Sequence, residues 1–153
     1  MNVVHVHLLL NHVPVVGAVI GTLLLAYAAV RRNSEVSKIA LALFAALAAV
    51  SVAVFLTGEP AEEAVEHLPG FSESITEQHE ELARVAMISI VAFGVLAIGA
   101  LTYFRRRVLP RWFAATSLLF SLTIVALMAV TANSGGQIRH SEIRSAAVDS
   151  DES

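Results

Sequence analysis

The chain has 153 residues, 56% of them hydrophobic and 15% charged, with a mean hydropathy of +0.71. That composition excludes an ordinary soluble globular domain, and the length leaves room for one domain of four membrane spans. Cysteine is absent, which excludes disulfides, thiolate metal sites, iron–sulfur clusters, a cysteine nucleophile and covalently attached c-type haem. The net charge of −3 says less than its distribution, because the bases and acids are sorted between alternate loops.

The first apolar run covers 8–30, roughly the ~20 residues that a helix needs to cross a ~30 Å hydrocarbon layer. No Lys or Arg precedes Arg31, so the charged start of a cleavable signal is missing and the run is expected to stay as a span. Its opening turns carry His5, His7, Asn11 and His12. At 100° per residue His5 and His12 share one stripe, while His7 and Asn11 share another. Pro14 cannot donate to the carbonyl of Leu10 and predicts a local bend near His12. Gly17 and Gly21 follow at a spacing that allows close helix packing.

A basic link, 31–38, leads to the second span at 39–56, in which Ser51 is the only polar residue. Thr57-Gly58-Glu59-Pro60 reads as a breaker. Ala61, Ala64, Val65 and Leu68 then recur at helical spacing, predicting a short amphipathic helix over 61–68 that Pro69-Gly70 ends. Ser74 and Glu77 have the spacing of a capping box, starting a helix that runs into the third span at 85–104. On that helix Ile75, His79, Leu82 and Ala86 share one face. A second basic link, 105–111, precedes the fourth span at 112–132, and Tyr103 and Trp112 mark one interface as an aromatic belt. Asn133-Ser134-Gly135-Gly136 reads as the end of the fourth span. The membrane domain is read as 1–144, with an acidic tail at 145–153 expected to be disordered. No internal repeat is evident.

The positive-inside rule places both basic links in the cytoplasm. The termini and the middle loop then lie outside, with every acid except Glu35 and all six histidines. The expected fold is all-α: a four-helix transmembrane bundle, N-out and C-out, in the bacterial cell membrane, with a short extracytoplasmic loop helix. The basic residues sit at lipid headgroup level, so nucleic acid is excluded as a partner. The spans carry no charged pathway, which excludes a pump or an ion channel.

Four segments bring imidazoles to one face: His7 and His12, His67, His79, and His140. Imidazole is the commonest protein ligand for transition metals and haem iron. His5 and His67 are read as interfacial side chains. His12 with His79 is the preferred axial pair for b-type haem, with His7 and His140 as further ligands and Arg139 and Arg144 beside the propionates. Asn11, Glu80 and Glu142 would orient the imidazoles from behind. Alternatively His7, His12, His79 and His140 would bind zinc, iron or copper directly, which keeps a metal-dependent enzyme open. A third class is a structural subunit of a larger membrane complex. Beyond the lipid bilayer, the expected partners are quinol or a cytochrome, and an oligomer is left open.

The stretches His5-x-His7-x-x-x-Asn11-His12-x-Pro14-x-x-Gly17, Thr57-Gly58-x-x-Ala61, Leu68-Pro69-Gly70 with His79-Glu80, and Gly135-Gly136-x-Ile138-x-His140-x-Glu142-Ile143 resemble a group of small bacterial four-helix membrane proteins of the domain-of-unknown-function type. The resemblance runs from His5 to Arg144 and implies the four-helix architecture, with no activity to transfer. The histidine placement at helix ends looks like that of membrane cytochrome b modules, by analogy.

Overall fold

Helices α1 (Val3–Leu10) and α2 (His12–Arg31) form one span interrupted at Asn11. Pro14 explains the break: it has no N–H for the Leu10 carbonyl, and its ring crowds that oxygen. Asn11 still donates its N–H to the His7 carbonyl at 2.9 Å, so the chain turns while staying in helical space. The structure, a computed structural model, describes residues 3–64, 66–67 and 71–139, without the side chains of Val3 and Arg139.

The turn from α2 into α3 (Ser34–Leu56) is built from Arg32 and Asn33. Arg32 takes a left-handed conformation, φ 55°, and its N–H reaches the Ala28 carbonyl, closing α2. Asn33 then caps α3, its side chain accepting the N–H groups of Glu35 at 3.0 Å and Val36 at 3.2 Å. A left-handed backbone costs a residue with a Cβ about 1–2 kcal/mol. Arg32→Gly should therefore raise stability by up to about 1 kcal/mol, read as a shift in the thermal or denaturant midpoint in detergent. The Ser34 hydroxyl accepts the Leu109 N–H at 2.8 Å, fastening the second basic link to the first.

Helix α4 (Gly58–Glu63) is shorter and earlier than the helix read over 61–68. Pro60 falls in its first turn, where a missing N–H costs nothing, so Thr57-Gly58-Glu59-Pro60 begins a helix as well as ending α3. Ala64 is exposed, and Val65 and Leu68 to Gly70 lie outside the described residues. Helix α5 (Glu73–Tyr103) starts at Ser72 as its cap, two residues ahead of the expected Ser74. The Thr76 hydroxyl donates to the Ser72 carbonyl at 2.9 Å and the Thr76 N–H does so at 3.2 Å, which fixes the start there. Helix α6 (Arg111–Arg139) runs straight through Gly135 and Gly136, which were expected to end it.

The four long helices pack in a ring, α2 on α3, α3 on α5, α5 on α6 and α6 back on α2. Helices α2 and α5 therefore stand at opposite corners. Gly17 faces Leu47 and Gly21 faces Phe44, so closely that a Cβ at either would collide with the side chain opposite. Those glycines are packing positions between α2 and α3. Phe44 meets the edge of Phe93 at 4.8 Å in the core, and Phe93 stacks at 5.4 Å on Phe120, which reaches the outer surface. Outside, Leu23, Val95, Leu119 and others of their kind are exposed. An apolar exterior is the reverse of a soluble bundle. The chain is an all-α four-helix bundle whose four long helices are each long and apolar enough to cross a membrane, with no strand among the described residues.

Candidate functional site

Two histidines are held in the same way at one end of the bundle. On α1, His7 Nδ1 lies 3.2 Å from the Val54 carbonyl and 3.3 Å from the Thr57 hydroxyl, at the end of α3. On α5, His79 Nδ1 lies 3.1 Å from the Thr131 carbonyl and 3.1 Å from the Ser134 hydroxyl, near the end of α6. In each case the hydroxyl belongs to the residue three positions after the carbonyl and bonds back to it, at 2.9 Å for Thr57 and 2.8 Å for Ser134. A carbonyl can only accept. Nδ1 must therefore carry the proton in both rings, which leaves each Nε2 with its lone pair.

A glycine follows each hydroxyl. A Cβ on Gly58 would lie 3.8 Å from His7 Cε1, and one on Gly135 would lie 2.9 Å from His79 Cε1. Thr57-Gly58 and Ser134-Gly135 thus stand in the same place against their histidines, once in each helical hairpin, although only at Gly135 does the ring leave no room for a Cβ. The sequence reading took both dipeptides for breakers and saw no repeat. The signal was present: each hydroxyl residue follows its histidine at a similar separation, 50 residues for His7 and 55 for His79.

Of the residues picked out from sequence, the fold brings His7 and Glu80 each within electrostatic reach of His79. Asn11, one turn beyond His7, is half-buried, its Oδ1 fully enclosed. His12 is exposed on the outward face of α2, on the stripe that also exposes His5. His67 is exposed and pairs with its neighbour Glu66 at 3.2 Å. Arg139 closes α6, and His140, Glu142 and Arg144 lie outside the described residues.

Glu62 of α4 joins this end, a residue that the sequence singles out only as one of the acids sorted to the histidine side. Its carboxyl shares a hydrogen bond with that of Glu80 and is pushed up to about 7, first by burial, then by that bond and by the charges of Glu80, Glu66 and Glu59. Two carboxyls can share a hydrogen bond only when one keeps its proton. The folded value lies above the ordinary 4.5, so the folded state holds this proton more tightly than the unfolded chain. That contribution is complete below the unfolded value and is lost as pH rises from 4.5 through about 7. Glu62→Gln should flatten the fall in thermal midpoint across this window. A wild-type slope in the variant would refute the assignment.

Among the described residues, no three His, Asp or Glu side chains are arranged to hold a metal ion. Two converging imidazoles and a proton-sharing carboxyl pair are what the site offers. No family model, curated protein or solved structure matches the chain.

Proposed function

We propose that the protein is a membrane-embedded electron-transfer protein that binds b-type haem at its histidine end, with His7 and His79 as the axial ligands. One observation carries this reading: imidazoles from opposite corners of the bundle are each fixed through Nδ1–H to a main-chain carbonyl, which leaves each Nε2 with its lone pair. Metal-ligating histidines have this arrangement, in which the second nitrogen is tied to an acceptor that sets the tautomer and the ring orientation. Haem iron can be held by one or two protein ligands, whereas a bare zinc-type ion takes three or more. Among the described residues, two imidazoles come near each other here.

His7 takes the place of His12, the partner preferred from sequence, because His12 points outward from α2. Bound haem would supply a one-electron couple. Thr57 and Ser134 hold the ligating rings, Gly135 leaves the His79 ring room, and Glu62 with Glu80 can take or give a proton beside them. Arg139, Arg144 and His140 remain candidates for propionates or further ligands. The arginines at the other end of the bundle support an orientation with the histidine end outside the cytoplasm, in a bacterial cell membrane. Quinol or a cytochrome is the partner class this orientation suits.

Haemin titrated into the detergent-solubilised protein tests the reading. Saturation at one haem per chain with a low-spin spectrum is expected. Failure to bind, together with one zinc, iron or copper per chain by elemental analysis, would favour a non-haem centre, for which the carboxyl pair beside His79 is the supporting observation. Neither signal would favour a structural subunit.

A further inference from the structure

The His7 stripe continues inward as His7, Asn11, Pro14, Gly17 and Gly21, successive steps of three or four residues along one helical face. Opposite it on α3 run Thr57, Val54, Ser51, Leu47 and Phe44. Three contacts fix the register of this seam: His7 on Val54 and Thr57, Gly17 on Leu47, and Gly21 on Phe44. Antiparallel packing between those contacts puts Asn11 and Pro14 level with Ser51. Ser51 is 4% exposed, and its hydroxyl has no hydrogen-bond partner among the described residues; the enclosed Asn11 Oδ1 has none either. Pro14 gives nothing to the Leu10 carbonyl one turn before it. Two enclosed polar atoms without a partner, and the carbonyl that Pro14 cannot serve, thus fall at one level of an apolar bundle, although most serines in helices turn back onto their own backbone.

We infer that this seam binds water, held between Asn11 Oδ1, the Ser51 hydroxyl and the Leu10 carbonyl. Asn11 Oδ1 and the carbonyl both need a donor, and Ser51 can give one proton and accept another. A molecule with two donors and two acceptor sites serves all three, and the close packing at Gly17 admits nothing much larger. A buried water needs two to four polar partners, which this site provides. The His7 face then has a polar extension about 10 Å deep, from residue 7 to residue 14 at 1.5 Å per residue. The inference does not depend on haem binding.

Two measurements on the full-length protein in detergent test it. Hydroxyl radicals generated by a synchrotron pulse label side chains beside bound water even where bulk solvent is excluded. Pro14, which is buried, should label several-fold faster than Ile90 and Ile124, which lie in the dry core. Equal, background-level labelling of all three would overturn the inference without any substitution. The second measurement is a double-substitution cycle with Asn11→Leu and Ser51→Ala. In a hydrated seam each lowers the thermal midpoint, and the pair together lowers it by less than the sum, since the first loss already empties the bridge. In a dry seam each removes an unsatisfied polar group, so both would raise the midpoint, additively. That result would overturn the inference too.

Discussion

His79→Ala protein, purified from haem-replete cells, is expected to retain little or no haem, and His7→Ala should behave alike. On the proposed reading each variant removes one of the two imidazoles that would hold the haem and leaves the apolar spans intact, so insertion and helix content should survive. Any haem kept should turn from low-spin to high-spin, because iron then has five ligands or binds water. His12→Ala should keep a wild-type spectrum, since that imidazole lies outside the bundle. The residues behind the ligands should matter in proportion. Thr57→Val and Ser134→Ala should weaken haem binding about 10–100-fold, the usual cost of losing such a hydrogen bond behind a metal-bound histidine. Equal haem content and spin state in wild type and both His7→Ala and His79→Ala would remove the assignment.

Gly135→Ala is expected to be nearly as damaging as loss of His79, although it adds a single methyl group. That methyl would sit 2.9 Å from His79 Cε1 and 3.2 Å from Nδ1, closer than carbon atoms tolerate. Helix α6 cannot retreat without breaking its packing on α5, so the imidazole must swing away from the Thr131 carbonyl. Overpacking of this kind costs about 1–3 kcal/mol of stability. Here the loss should also appear as weakened haem binding, measured by haemin titration. Gly99→Ala is the control. Nothing lies within 4 Å of a Cβ there, so the ordinary preference for alanine within a helix should make it neutral or slightly stabilising. Wild-type haem affinity in Gly135→Ala would show that the ring position does not matter to function.

The spans were legible in the sequence because a bilayer demands long apolar runs, and basic links bracket them. Which side of each span faces inward was much less legible. In a soluble bundle the solvent face is polar and betrays the buried one; in a membrane both faces are apolar and the periodic contrast fades. Stripe geometry separated His7 and Asn11 from His5 and His12, yet it gave no reason to prefer either pair as the inner one. The fold decides it, because Pro14 is buried on the His7 stripe, and Gly17 and Gly21 on the same stripe form the contact with α3. Ser134-Gly135-Gly136 was misread for a related reason. Such a run usually ends a helix, but here the serine hydroxyl bonds back to Thr131 and the glycine is cut to the shape of an imidazole. Glu62 escaped notice because its partner Glu80 is on another helix, and a shared proton leaves no trace in local spacing.

The central claim is that His7 and His79 together ligate one haem iron. The most direct measurement is electron paramagnetic resonance of the haem-loaded ferric protein, wild type beside the two alanine variants. The account predicts a low-spin bis-imidazole signal in the wild type, replaced by a high-spin signal or lost in His7→Ala and in His79→Ala. A wild-type protein that takes up no haem, or a bis-imidazole signal that persists in either variant, would contradict it.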